Sequence, residues 1–369
     1  MLFMKGTQME TKSIDSFEAE YLKLLLQRTL EMRGDQYPNP AVGAMVIKDN
    51  TIISEGYHQC SGEAHAEVIA LDKAGDLAIG ATLLITLEPC TTHGKTPPCT
   101  DRIIESDIQR VIWAVDDPNP TITNTAYDQL SFHGITAIGN VDEQLGLACI
   151  KEFDCYHRLC RPYVYVKVAV SVDHMIAPHR NGLTYISSDA SLKKVQQLRR
   201  YCQAICVGVH TIKIDQPKLS IRDQDSQPMI VILDPMGEID RKWLMVALES
   251  GRTVMVFTRG VDLAISHDQL ICNDGLTLDK TLNWNFVLSV LYQHKIQGVL
   301  IEGGAGVFQS VIDSKLLDEL WVFRVPKLLA SEESVSFCGY DELDLTQVHQ
   351  ETLTDDELTI YKNNNAFSI

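Results

Sequence analysis

Four residues at two places in the chain are of kinds that do chemistry together: His65 and Glu67 in "HAEVIALDKAG", and Cys90 and Cys99 in "LEPCTTHGKTPPC". A catalytic zinc ion takes three protein ligands and leaves one position for water. A neutral imidazole and two thiolates suit that borderline-soft cation, so His65, Cys90 and Cys99 are the candidate ligands of one Zn2+ per chain. Glu67 stands two residues from His65, too close in sequence to chelate comfortably beside it. It is placed instead to face the water, take its proton and pass that proton to a substrate ring and then to leaving ammonia. H-x-E followed by P-C and a second Cys is the pattern of zinc-dependent deaminases.

Eight residues, "TTHGKTPP", separate the two cysteines. Two are enough for the metal geometry, so the longer spacer is read as a substrate contact, with His93, Lys95 and Thr96 as donors for a phosphate or ribose. The pairs His58/Cys60 and Cys155/Cys160 (with His157) could also bind metal, but they read as incidental thiols and imidazoles.

These residues need a scaffold. Residues 16–33 carry apolar positions at helical spacing, with Ser16 as N-cap and Gly34 as the stop. "PNPAVGAMVIKDNTIISEGYH" reads as a turn and a hairpin with Asp49-Asn50 at its tip. A helix at "AHAEVIALDKAG", a strand at "ATLLITLEPC", a helix opening at "CTDRIIESD" and a strand at "RVIWAVDDPNP" come next, the last with a Pro/Asn stop. Such alternation predicts a sheet with helices on both faces. A helical stretch at 142–160 leads into a β-rich run at 161–173, a basic helix at 189–201, strands at 204–209, 229–234 and 253–259, and a helix at 281–294. "GVLIEGGAG" is a strand running into a glycine turn and a helix over 306–317, where free backbone N–H groups favour a phosphate. It is not the G-x-G-x-x-G fingerprint of a Rossmann domain.

The chain has 369 residues, enough for two domains. Its formal net charge of −17 opposes phosphodiester binding and favours a small-molecule substrate over nucleic acid. No apolar run approaches the length of a membrane span. The start of the chain lacks the pattern of a secretory signal and reads as a disordered tail over 1–15. Ten cysteines in such a chain are expected to be reduced thiols and metal ligands, in the cytoplasm.

"YPNPAVG", "EGYHQCSGEAHAE" and "LEPCTTHGKTPPC" resemble the deaminase half of the bifunctional riboflavin-biosynthesis deaminase/reductases. The resemblance implies an α/β protein with an N-terminal cytidine-deaminase-like three-layer αβα domain over 16–155. Its substrate would be a diaminopyrimidinone bearing a ribosylamino 5′-phosphate, with Asn39 as a base-binding residue; as a bare sequence feature Asn39 reads equally well as a turn former.

"VKVAVSVDHMIA", "LRRYCQAICVGVHTIKIDQPKLSIR" and "IEGGAG" resemble the reductase half of the same family, which implies a dihydrofolate-reductase-like α/β domain over 156–369 using NADPH. By that resemblance Lys167, Arg199, Leu219, Arg222 and Glu302 would meet substrate. Ala169, Tyr185, Thr211, Asp215, Gly304, Ala305 and Gly306 would meet the dinucleotide. Arg199 and Arg222 have the geometry for bidentate phosphate recognition. The chain departs from the family at His174, where a glycine is usual, and at Leu183-Thr184-Tyr185, so a changed turn or a side chain reaching the cofactor is expected there. A homodimer or higher homo-oligomer is a further implication. The alternative is a deaminase of another nucleotide carrying a degenerate, non-catalytic reductase-like domain.

Overall fold

The computed structural model describes residues 13–94, 96–120, 125–177, 187–222, 224–274, 283–329, 335–336, 340 and 343–366. Residues 1–12 of the expected tail, Lys95, and Leu183 to Tyr185 lie outside the described residues. Two units separate by their internal contacts, Met1–Arg158 and Leu159–Ile369. No described helix is long and apolar enough to cross a membrane.

The first unit runs α1 (Ser16–Glu31), β1 (Gly43–Lys48), β2 (Thr51–Tyr57), α2 (Ala66–Ala74), β3 (Thr82–Ile85), α3 (Cys99–Glu105), β4 (Arg110–Trp113), α4 (Thr125–Phe132), β5 (Thr136–Ile138) and α5 (Glu143–Leu159). Its sheet has the order β2-β1-β3-β4-β5 among the described residues, antiparallel on the β2-β1-β3 side and parallel from β3 to β5. Alternate residues of β1 point to opposite faces, as a strand buried on both sides requires. Ala44 and Val46 join α2, α3 and α4 in one core, and Met45 and Ile47 join α1 and α5 in the other.

Local contacts fix the register of this scaffold. The helix α1 is capped by Asp15 rather than by Ser16: its carboxylate accepts from Phe17 N and Glu18 N at 2.9 and 2.8 Å, and Glu18 returns the bond to Asp15 N. A D-x-x-E capping box begins one residue earlier than the serine suggested. At the hairpin tip Asp49 and Asn50 both take positive φ, 50° and 56°, the backbone of a tight two-residue turn. The helix α2 then lies so close on β2 that a Cβ at Gly56 would sit 2.2 Å from Ala66 O.

The second unit runs β6 (Tyr163–Ser171), β7 (Met175–Ala177), α6 (Asp189–Arg200), β8 (Ala204–Gly208), α7 (Val209–Asp215), β9 (Met229–Leu233), α8 (Arg241–Glu249), β10 (Val254–Thr258), β11 (Leu270–Asp274), α9 (Trp284–Gln293), β12 (Gly298–Gly303), α10 (Ala305–Ser314), β13 (Glu319–Val325), β14 (Val335–Ser336), β15 (Leu345–Leu353) and β16 (Asp356–Asn363). Its large sheet has the order β11-β10-β9-β8-β12-β6-β13-β16-β15. All pairs from β11 to β13 are parallel, and β16 and β15 add an antiparallel hairpin. Residues 204–207 alternate between two cores, Ala204 and Cys206 with α9 and α10, Ile205 and Val207 with α7 and α8. The chain leaves β8 for β9 on one side and returns through β12 on the other. That reversal makes the carboxyl ends of β8 and β12 a switch point, the place where open α/β sheets bind ligands.

Candidate active sites

His65 is the residue before α2, and Cys99 is the first residue of α3. Both helices begin at one end of the first sheet, and Cys90 lies in the loop leaving β3 at that end. The ligand atoms of His65, Cys90 and Cys99 all fall within 4.8 Å of one another. His65 Nδ1 is 3.1 Å from Cys99 Sγ and 3.7 Å from Cys90 Sγ, and Cys99 N donates to Cys90 Sγ at 3.3 Å. Exposed backbone N–H groups at a helix start favour a thiolate beside them. Cys90 is accordingly drawn down to about 4, first by a hydrogen bond from the Cys99 thiol and also by His65. Cys99, which holds the shared proton, is raised by the same bond and by burial.

Glu67 is 4% exposed, and burial raises its carboxyl above the usual range, with the Cys90 charge adding to the shift. Its Oε2 is buried with no hydrogen-bond partner among the described residues. A soft donor set of one imidazole and two thiols, with an orphaned carboxyl oxygen beside them, fits a zinc ion and a water held against Glu67.

Around this centre the loops add polar groups. His58 Nδ1 donates to Ala64 O at 3.1 Å, which leaves Nε2 to accept from Asn39 Nδ2 at 2.9 Å. Burial lowers His58, so this neutral tautomer is the favoured one. The His58 ring also packs edge-on to His65 at 5.3 Å between centroids. Asn39 is thereby tied to the imidazole packed on His65 as well as to a turn, its N donating to Gln36 O. Thr96 Oγ1 lies 3.5 Å from His65 Nε2, while His93 is exposed on the same loop.

Sequence reasoning missed Asp117. This residue follows β4 at its carboxyl end, 6% exposed, and burial pushes its carboxyl up to about 7, with Glu88 and Cys90 as further charges. "DDPNP" had signalled only the end of a strand. The signal available was an acid at the carboxyl end of a parallel strand, where ligands collect. Glu88 braces the region by accepting from Asp117 N at 3.2 Å and from Ala126 N at 3.4 Å. Neither His58/Cys60 nor Cys155/His157/Cys160 forms a metal-holding group among the described residues.

In the second unit Lys167 and Ala169 share one face of β6, two residues apart, and β12 is the parallel neighbour whose Ile301 pairs with Val166. Glu302 is thus brought beside Lys167. Arg199, from the last turn of α6, reaches the same carboxylate, with Nε to Oε1 at 2.5 Å and NH2 to Oε2 at 2.7 Å, while its NH1 donates to Ser220 O at 2.7 Å. The Arg199 fork expected on a phosphate is held by Glu302. Burial lowers Lys167, Glu302 opposing that shift; in Glu302 the Arg199 bonds overcome burial, and its carboxyl lies below the usual range. Leu219 is buried with φ 48°, and Arg222 is exposed, its backbone N donating to Gln196 Oε1.

Gly304 precedes α10 with φ 82°, and no side chain caps that helix among the described residues. A Cβ at Gly303 would lie 2.8 Å from Thr211 Oγ1, and one at Gly306 would meet open space. Ala305 and Gly306 form the first turn of α10, so uncapped N–H groups and a close-packed glycine turn make a cradle that fits a dinucleotide pyrophosphate. Thr211 and Asp215, four residues apart on α7, line the next strand along, and burial raises Asp215. His174, the departure from glycine, keeps the turn by adopting φ 62° with its N donating to Ser171 O. Histidine is among the residues that tolerate this left-handed conformation.

Two family descriptions match the chain: the cytidine and deoxycytidylate deaminase zinc-binding region over residues 16–115, and the RibD C-terminal domain over 162–359. The riboflavin biosynthesis protein RibD of Aquifex aeolicus is 33% identical over 357 residues, covering 95% of this chain and 99% of the relative. That of Bacillus amyloliquefaciens is 34% identical over 348 residues, covering 90% and 93%. Among solved structures, RibD of Acinetobacter baumannii superposes with a TM-score of 0.81 at 30% identity, covering 94% of this chain and 99% of that one. The diaminohydroxyphosphoribosylaminopyrimidine deaminase/5-amino-6-(5-phosphoribosylamino)uracil reductase of Thermotoga maritima gives 0.81 at 33% identity, covering 93% and 99%.

Proposed function

The chain belongs to the bifunctional deaminase/reductase family of riboflavin biosynthesis, and from that premise we propose which of its residues carry each reaction. It is a zinc-dependent pyrimidine deaminase and an NADPH-dependent reductase. Deamination is assigned to residues 16–155 and reduction to 156–369. The first substrate is diaminohydroxyphosphoribosylaminopyrimidine, and the deaminated 5-amino-6-(5-phosphoribosylamino)uracil is reduced to its ribitylamino counterpart.

His65, Cys90 and Cys99 hold the zinc, which supplies a water activated for attack near neutral pH. The observation that carries the reading is Glu67 Oε2, buried beside the thiols and without a hydrogen-bond partner among the described residues. A carboxyl raised by burial holds a proton well: ionised Glu67 takes one proton from the water and gives it to the ring nitrogen, then takes the second from the hydroxyl added at the ring carbon and gives it to the amino group as ammonia leaves. Asn39, fixed by His58, orients the pyrimidine, and His93, Lys95 and Thr96 serve the ribose and phosphate.

NADPH supplies the hydride for the second step. Lys167, held in the charged row of Arg199 and Glu302, donates hydrogen bonds to the opened ribosyl chain, and Glu302 accepts from its hydroxyls. Arg222, exposed, takes the phosphate. Leu219 shapes the wall. Ala169, Tyr185, Thr211, Asp215 and Gly304 to Gly306 line the dinucleotide. A cytoplasmic location and a homo-oligomeric assembly belong to the same proposal, checked by fractionation and by light scattering. A degenerate second half is not favoured, because the curated relatives match across both halves.

Complementation tests the division of labour. Glu67→Gln is expected to leave the starting pyrimidine untouched yet reduce the deaminated intermediate, and Arg222→Ala to deaminate without efficient reduction. Mixing the two variants should restore the full sequence of reactions. A Glu67→Gln protein inactive on both compounds would contradict the assignment.

A further inference from the structure

Two donors at the far end of the dinucleotide row have no acceptor among the described residues. Arg259 Nε and Asn273 Nδ2 are buried and make no hydrogen bond there. Arg259 is the first residue beyond β10, and Asn273 is the next-to-last residue of β11. The two strands are parallel, with Phe257 opposite Asn273 and Thr258 opposite Asp274, so both donors lie at the carboxyl end of the sheet. We propose that Arg259, with Asn273, binds the 2′-phosphate by which NADPH differs from NADH. This rests on the reading of the second unit as an NADPH-dependent reductase.

The order of the strands supports it. Residues proposed for the dinucleotide follow the carboxyl edge from Ala169 on β6, through the glycine turn after β12, to Thr211 and Asp215 after β8. Continuing the same way, the next strand ends are those of β9, β10 and β11. Three strand spacings separate β12 from β10, about 14 Å in all, a span that an adenosine half and an arginine side chain cover together. Met236, 66% exposed just past β9, offers apolar surface on the way.

The loop is held before any ligand arrives. Arg259 N donates to Pro235 O at 3.2 Å, and Gly260 N to Asp274 Oδ1 at 2.5 Å. Burying a guanidinium nitrogen and an amide without acceptors is costly. A phosphate in reach of both removes that cost with charge-assisted bonds, for which arginine is the favoured side chain. An unphosphorylated ribose offers no such charge.

The test is calorimetric titration of the full zinc-loaded chain with NADPH, NADH, 2′,5′-ADP and 5′-ADP. The parent is expected to favour the 2′-phosphorylated member of each pair. Arg259→Gln should weaken NADPH and 2′,5′-ADP about tenfold or more, leaving NADH and 5′-ADP unchanged. Asn273→Asp, which sets a carboxylate against the phosphate, should act in the same direction. Retained preference in both variants, or equal weakening of all four ligands by both, overturns the proposal. A parent that binds neither NADPH nor NADH overturns the reductase reading along with it, whereas a parent that binds NADPH and NADH equally overturns this inference alone.

Discussion

Arg199 and Glu302 form a two-pronged ion pair at 2.5 and 2.7 Å, with side chains 14% and 8% exposed, beside the buried amine of Lys167. Breaking such a pair leaves an uncompensated charge in a poorly solvated place, which costs roughly 3–5 kcal/mol. Glu302→Gln is therefore expected to lower the urea midpoint of the second unit. Trp243, Trp284 and Trp321 lie in this unit, so their fluorescence reports on it. A midpoint equal to the parent's would mean the pair contributes nothing to the fold.

Glu67→Gln removes the proton carrier while keeping the shape. Deamination should fall by about 10²–10⁴-fold, and bound zinc, measured by plasma mass spectrometry, should stay at the parental level. Turnover close to the parent's would take the role away from Glu67.

Cys99→Ser replaces a sulfur ligand at the start of α3 with a hydroxyl. Zinc content should drop well below the parent's, and the melting temperature with it, because metal binding contributes to folding stability. Among the described residues one metal-holding group is present, so about one zinc per parental chain is expected. Unchanged zinc in the serine variant would exclude Cys99 as a ligand.

Asp117 gives a pH signature. Its folded-state carboxyl stands at about 7, above its ordinary value of 3.8, because burial disfavours the charge. A raised carboxyl stabilises the fold fully below its unfolded pKa, and the contribution is lost as pH rises through about 7. Asp117→Asn should therefore narrow the gap between urea midpoints measured at about pH 5 and about pH 8.5. An unchanged gap would place the titrating group elsewhere.

Much of the first site was legible because its residue types are specific and its elements are marked by local signals. His65, Glu67, Cys90 and Cys99 lie at helix starts and a strand end that the hydrophobic pattern already outlines. The capping residue of α1 was misplaced by one position, since Ser16 and Asp15 are both good caps and only the reciprocal bond with Glu18 decides between them. Asp117 and the His58–Asn39 bond were illegible for a different reason: they depend on loops brought together in space. In the second unit the position of Glu302 could be taken from the motif, but its pairing with Arg199 could not. The helix α6 and the strand β12 are about a hundred residues apart in the chain, and their contact follows from the crossover of the sheet.

The central claim is that one chain performs both steps, deamination before reduction. Mass spectrometry of diaminohydroxyphosphoribosylaminopyrimidine incubated with the zinc-loaded protein tests it directly. Without NADPH the compound should gain about one mass unit, as an amino group becomes a carbonyl. With NADPH it should gain about two more, as a hydride and a proton add. A gain of two units before the gain of one, or no second gain with NADPH present, would contradict the account.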